Sequence, residues 1–314
     1  MKAMDKIAPG EFDDEDDDDD MDITSLGEFA YPLNADHFIR FKRRGAAMII
    51  SFEIESGNQP LESRMSRFAD LAEDMNWSSL TLVSRGLTWF RAPEVIQFFD
   101  ALVDGTLLDQ FDDVLFYGQG AAGHAAMSFA LTAPGSRVMA LAPHFGFGIP
   151  GAPQDDRFQP PANIDFSARY APTPDNLSVV KSALLLHDPA DAADRAHAAA
   201  LAAPTVTPLL CRHMGSRIED GLSELGLLEE LVVRALDGDL EETSFYRALR
   251  ARRDNPAWLR RLIGRLIDAD RPVLEALAVR NVAQRTGRHR FTKRFEQIKD
   301  ELAAKGVSIP EKRG

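Results

Sequence analysis

Apolar positions form short blocks along the first two thirds of this chain and helical stripes along the last third. Blocks rich in aliphatic, β-branched and aromatic residues recur at 47–54, 80–84, 114–117, 138–141, 183–187 and 206–210. Their successive positions are apolar, which predicts strands buried on both faces and hence a mainly parallel sheet between helical layers. Helix-spaced segments separate several blocks, at 93–103, 125–132 and 190–202. Pro93 and Pro189 stand near two of the predicted helix starts, where a missing N–H costs little.

The pattern changes near residue 216. Segments 218–236, 243–253, 257–269, 272–285 and 292–305 carry helical spacing, broken at Asp254-Asn255-Pro256 and Arg271-Pro272. In one of them Leu259, Leu262, Ile263 and Leu266 form a stripe with arginines opposite. The expected fold is α/β, with a mainly parallel sheet of about six strands over 28–215. A helical C-terminal region over 216–305 and a short flexible tail over 306–314 follow. The segment 146–174 is rich in proline and lacks periodicity, so it reads as a surface excursion of the kind that forms lids and specificity loops.

Charge adds a further division. Residues 1–22 hold eleven acids and two lysines, so 1–27 is expected to be a disordered acidic tail. Residues 246–314 hold eighteen Lys/Arg and eight Asp/Glu. The acidic tail then shields the basic end of its own or a neighbouring chain, mimics a polyanion, or serves as a solubilising overhang. Phe291 and Phe295 interleave with the basic residues but stand four apart, a spacing that docks them into the protein rather than onto single-stranded nucleic acid. No nucleic-acid motif accompanies them, and nucleic acid is not an expected partner. No apolar run approaches the ~18 residues of a membrane span, and the N-terminus lacks an apolar signal region, so neither membrane nor export is expected. The single cysteine, Cys211, excludes an internal disulfide and a cysteine-only zinc site and fits a cytoplasmic protein. No cofactor is expected, and the partner is an unspecified small molecule or protein.

The candidate chemistry centres on one turn. The apolar block 114–117 runs into Gly118-Gln119-Gly120-Ala121-Ala122-Gly123, then a helix, then the strand-like 137–141. That is the layout of the G-x-S-x-G elbow on which α/β-hydrolases present a serine. Gly118 and Ala122 occupy the flanking small positions, but Gly120 is the centre and carries no nucleophile. The turn therefore either serves packing alone or holds a ligand, with Gln119, Gly120, Ala121 and His124 around it. Ser128 lies within the helix that follows and is badly placed to replace the missing hydroxyl. Asp188 ends the fifth block and His213 follows the sixth, the positions of the acid and the histidine in the hydrolase chain order. Asp188 before Pro189 equally fits a helix N-cap, and His213 a plain polar residue at a strand end. Asp191, Asp194 and His197 have a spacing that could converge on a metal, though first-turn acids favoured by the helix dipole explain it better, and no metal is expected. Cys211 is read as a buried packing residue, or as one half of a Cys–His pair if the strand reaches His213.

A set of segments carries a wider resemblance. Thr88-Trp89-Phe90, Phe116-Tyr117-Gly118, 133–138, Asp155-Asp156-Arg157-Phe158, 165–170, His187-Asp188-Pro189 and His213-Met214-Gly215-Ser216 are similar in order to a group of uncharacterised α/β-hydrolase-like proteins of alphaproteobacteria, as are 245–247 and 250–262. The similarity covers roughly 28–293. Members often carry the name phosphoadenosine phosphosulfate reductase, and the group commonly has a small residue at the elbow centre. The residues do not match that name: Glu55-Ser56-Gly57-Asn58 after the first block is not a phosphate loop of the reductase type, and Cys211 lacks the Glu-Cys-Gly setting of the reductase nucleophile. The expectation is an α/β-hydrolase-like protein without a serine nucleophile, a pseudoenzyme candidate that binds a ligand or partner. The alternatives are a residual hydrolase or transferase, or the reductase of the name.

Overall fold

The computed structural model describes residues 27–160 and 163–310. The acidic run read at 1–27 falls outside the described residues except for Gly27, as does the end of the 306–314 segment.

One eight-stranded sheet organises the chain, in the order β1-β2-β4-β3-β5-β6-β7-β8. Its members are β1 (Glu28–Asn34), β2 (His37–Lys42), β3 (Ala47–Glu55), β4 (Ser78–Arg85), β5 (Asp113–Gln119), β6 (Arg137–Leu141), β7 (Ser182–His187) and β8 (Val206–Leu210). The last six are the blocks read from the sequence. They pair in parallel, and β2 alone runs against the rest. With an elbow at the end of β5, this is an α/β-hydrolase-like fold. The additional hairpin β1–β2 extends the sheet beyond the expected six strands.

Between the strands lie α1 (Ala69–Asp74), α2 (Pro93–Asp104), α3 (Ala121–Phe129) and α4 (Ala192–Ala200). Alternation in the strands explains the layering. In β5, Val114 and Phe116 join a core with Phe98, Phe99 and Phe129 of α2 and α3, while Leu115 and Tyr117 join a second core. That second core also takes residues of α5 (Ile218–Glu224), α6 (Leu228–Asp237) and α7 (Glu242–Ala248). Successive side chains in a strand point to opposite faces, so an all-apolar strand needs a helical layer on each side. The predicted helix 218–236 is two helices, because the chain turns at Gly226 with φ +65°.

The helical region continues with α8 (Pro256–Asp268), α9 (Pro272–Thr286) and α10 (His289–Ala304). Ala276, Val279, Ile298 and Leu302 make a small separate core between α9 and α10, against which Phe291 and Phe295 pack. The helix α8 is tied to the loop after β8: Trp258 Nε1 donates to Arg212 O at 2.8 Å and Arg261 Nε to His213 O at 2.9 Å. Helix α8 is therefore fastened at the carboxyl end of β8. Among the described residues no helix is long and apolar enough to cross a membrane.

Candidate ligand site at the strand ends

The chain leaves β3 towards β4 on one side and, from β5, towards β6 on the other, so the strand order reverses between β3 and β5. A crevice at such a point is where open α/β sheets place ligands. A cavity of about 150 Å³ lies there, lined by Ile54 from the end of β3, by Gln119, Gly120 and Ala121 from the end of β5, and by His144 and Asp194.

Gly120 has φ 60° and ψ −118°. A side chain in that conformation is strained, which is how the elbow of a hydrolase holds its serine; glycine adopts it at little cost. The flanking position is strict for another reason. A Cβ on Gly118 would come within 2.2 Å of the Ala122 carbonyl oxygen, so the entry to the turn admits only glycine. Gly120 N donates to Leu141 O at 2.8 Å, and Gly120 O accepts from His124 N at 2.9 Å. Ala121 begins α3, and its N–H has no carbonyl partner one turn back. This is the backbone donor that an elbow aims at an oxyanion. Gln119 turns away in part, its Oε1 accepting from Glu219 N at 2.8 Å.

The group nearest to Gly120 is His144. A Cβ built on Gly120 would lie 3.9 Å from its Nε2. Trp89 Nε1 donates to His144 Nδ1 at 3.0 Å. Indole is a donor only, so Nδ1 is the acceptor and the neutral ring carries its proton on Nε2, on the cavity side. Burial, with His197 and His124 beside it, holds the His144 pKa down to about 3. Trp89 and Phe90 have φ of 50° and 57°, an uncommon backbone for bulky residues, and this strained loop delivers the indole to the imidazole.

Behind His144 stands a second fixed imidazole. His197 Nδ1 accepts from Phe145 N at 3.1 Å, and Nε2 donates to Asp155 Oδ2 at 3.2 Å. Arg157 joins the segment 146–174 to α4. Its guanidinium meets Asp155 at 2.7 Å, Asp194 at 2.8 Å and Asp191 at 3.3 Å. Burial pulls the Asp155 carboxyl up, but the bonds from Arg157 outweigh it and lower its pKa to about 2. Burial raises Asp194 to about 6 despite the same arginine. One Asp194 oxygen, Oδ2, has no partner although the residue is only 3% exposed.

The other sites expected from sequence are placed differently. Asp188 is fully buried, but it is not the N-cap of α4; Asp191 is, its side chain accepting from Ala193 N and Asp194 N. Asp188 instead accepts from Ala190 N at 3.0 Å and Gly215 N at 2.9 Å, and Arg265 of α8 approaches it at 3.4 Å. His213 follows with φ 64°, so β8 ends before it and Cys211 and His213 do not share a strand face. Its Nδ1 is buried without a partner, and no hydrogen bond joins it to Asp188. Burial lowers the His213 pKa, with Asp188 partly offsetting it. His124 is fully buried beneath the turn, its Nδ1 donating to His144 O at 3.0 Å, and does not line the cavity. Burial also lowers it to about 3. Cys211 is fully buried, and burial pushes its thiol far up, the reverse of what a nucleophile needs. Ser128 is buried within α3. Asp191, Asp194 and His197 share α4, but its two acids face Arg157 and its imidazole faces Asp155. Among the described residues no cluster of three His, Cys, Asp or Glu side chains suits a metal ion.

No family model and no curated protein matches the chain. Among solved structures, Est1E from Butyrivibrio proteoclasticus is similar at 13% identity, covering 68% of this chain and 100% of its own, with a TM-score of 0.44. The capsule O-acetyltransferase of Neisseria meningitidis serogroup A has 14% identity over 65% of this chain and 95% of its own, with a TM-score of 0.40. An alpha-beta serine hydrolase homologue from Coxiella burnetii has 14% identity over 67% of this chain and 96% of its own, with a TM-score of 0.38. These likenesses are too loose to bear on chemistry, and the fold stands on the strand order and the elbow themselves.

Proposed function

We propose that this α/β-hydrolase-like protein binds a small ligand in the cavity over Gly120 and does not carry out serine hydrolysis. The observation that carries this reading is the elbow itself. Its backbone holds the nucleophile conformation, a free helix N-terminal N–H and an imidazole N–H border the space above it, and the centre has no side chain. A site shaped to hold an oxygen atom is thus kept without the atom that would attack it.

The acid and histidine positions support the same reading. Asp188 spends its oxygens on two backbone N–H groups and an arginine, and His213 is not hydrogen-bonded to it. A general base needs an orienting partner, and His213 has none: its Nδ1 is buried without a hydrogen bond. The phosphosulfate reductase reading would require Cys211 as nucleophile, and that thiol is buried and held protonated. A panel of p-nitrophenyl esters together with a fluorophosphonate probe tests the proposal. No turnover above background and no covalent adduct are expected. Robust turnover with labelling would overturn it.

A further inference from the structure

The cavity over Gly120 is bordered by hydrogen-bond donors that the protein does not use. His144 is only 4% exposed, its Nδ1 is taken by Trp89, and its Nε2–H has no acceptor among the described residues. That N–H faces the cavity, 3.9 Å from where a Cβ on Gly120 would stand. The Ala121 N–H lies at the start of α3, also without a carbonyl partner. Gln119 accepts from Glu219 N through Oε1, which leaves the Nε2 amide hydrogens of the same side chain unspent. Arg157 adds a fourth donor. Its Nε and one hydrogen of Nη2 go to Asp155, and Nη1 serves Asp191 and Asp194, so one N–H of Nη2 remains. A buried donor without an acceptor is costly, and a ligand that brings an acceptor recovers that cost.

We infer that this cavity takes a small monocarboxylate, with one oxygen at the Ala121 and His144 N–H groups and the other towards Arg157. This rests on the ligand-binding reading above and names the chemical class. The acids around Arg157 do not defeat it. Asp155 and Asp194 have side chains 1% exposed, against 33% for Arg157, and Asp191 caps α4 and does not line the cavity. A ligand therefore meets the guanidinium and not the carboxylates that hold it. At the His144 ring the charge of Arg157 also outweighs that of Asp155. Ile54, Leu87 and Phe158 give the ligand's carbon chain an apolar wall. A volume of about 150 Å³ holds a molecule of roughly benzene size, which limits the ligand to a few heavy atoms. A neutral carbonyl compound satisfies the same N–H groups but gains less from the cation, and an ammonium brings donors to donors.

The experiment titrates the full-length protein near neutral pH with butyrate, butyramide and n-butylammonium, and follows the His144 ring nitrogens and the Ala121 amide by NMR. Butyrate should bind roughly tenfold tighter than butyramide, because its hydrogen bonds are charge-assisted, and n-butylammonium should bind weakest. Saturation with butyrate should move the His144 Nε2 and Ala121 amide resonances. Binding that leaves both unmoved is adventitious and would overturn the inference. His144→Phe should weaken butyrate and butyramide alike, and Arg157→Met should remove the advantage of butyrate over butyramide. Arg157 holds two sealed acids, so should its variant fail to fold, the order of the three ligands in the wild type carries the test. Equal binding of butyrate and butyramide, or an advantage that survives Arg157→Met, would overturn the inference. Tightest binding by butyramide or n-butylammonium over Gly120 would overturn it while leaving the ligand-binding reading intact. Absence of binding by all three would count against both.

Discussion

Replacing Gly120 with serine supplies the one atom that the elbow lacks, and the structure says what that atom would and would not do. A Cβ there meets nothing closer than 3.9 Å, an ordinary contact with the His144 ring, so space is not the obstacle. The backbone is: φ 60° with ψ −118° costs a non-glycine residue about 1–3 kcal/mol. For a protein of this size that corresponds to a fall in Tm of roughly 2–10 °C, without loss of cooperative unfolding. The hydroxyl would then lie beside His144 Nε2, the nitrogen that carries the proton because Trp89 donates to the other one. Such an imidazole can donate a hydrogen bond to the serine but cannot take its proton. Its pKa, held near 3 by burial, makes it a poor base in any tautomer at neutral pH. Gly120→Ser should therefore fold, melt a few degrees lower and remain unlabelled by a fluorophosphonate. Labelling with turnover of p-nitrophenyl esters would refute the tautomer argument, and a loss of native structure would refute the geometry of the turn.

Three further outcomes follow from the same contacts. Asp188→Ala should cost about 3–5 kcal/mol in denaturant unfolding, because it strips two backbone N–H groups and a buried-side arginine of their acceptor; a cost below about 1 kcal/mol would show that α8 docks by other means. Cys211 should resist alkylation in the native protein and react on denaturation, and Cys211→Ser should cost about 1–3 kcal/mol; fast native alkylation would contradict its burial. Acid should destabilise the fold in a predictable window. His124 and His144 have pKa values near 3 when folded against 6.5 in the unfolded chain, so the unfolded chain takes up protons first, and stability is lost as the pH falls from 6.5 towards 3. Each histidine contributes a slope on the order of 1 kcal/mol per pH unit. Asp194 has the opposite sign, raised to about 6 from 3.8, so it offsets part of that loss between those values. Urea unfolding between pH 7 and pH 4 measures the sum, and Asp194→Asn should steepen the acid loss; a flatter profile in the variant would show that this carboxyl is not raised.

The sheet was legible where strands were buried on both faces. The six blocks from 47–54 to 206–210 coincide with β3 to β8, and β3 to β7 are largely buried between helical layers, whereas in the edge strand β8 only Leu209 is buried. The hairpin β1–β2 was not read, and the reason is local. In β1 most side chains remain exposed, Pro32 interrupts it, and its ladder is made with one neighbour only. The alternation His37-Phe38-Ile39-Arg40-Phe41-Lys42 was the available signal for β2. In the helical region the spacing of apolar residues was sufficient to find each segment, but Gly226 decided a break that periodicity alone does not reveal. The elbow was legible to the residue, since Gly118, Gly120 and Ala122 are local. His144, Arg157 and Asp155 were not assigned, because their partners lie across the fold: Trp89 is 55 residues from His144, and Asp155 is 42 from His197. The spacing of Asp191, Asp194 and His197 did mark a charged face. What it could not show is that an arginine from the 146–174 excursion would meet its two acids.

The positions of the acid and the histidine explain why an elbow without serine is consistent with this chain. In a working site the acid orients the imidazole and the imidazole serves the nucleophile, and each must face the crevice. Here Asp188 fastens the turn at Gly215 and receives Arg265, while the backbone after β8 is gripped by Trp258 and Arg261 of the same helix. The helix α8 has thus taken the loops that carry Asp188 and His213 as its docking platform. Polar groups around the cavity come instead from the loops after β4 and β6 and from α4: Trp89 behind His144, and Arg157 before Asp194. None of these is arranged to remove a proton from residue 120, and all are arranged to keep donors, acceptors and charge in fixed directions around a small volume. Fixed polar groups around a small space support the ligand-binding proposal.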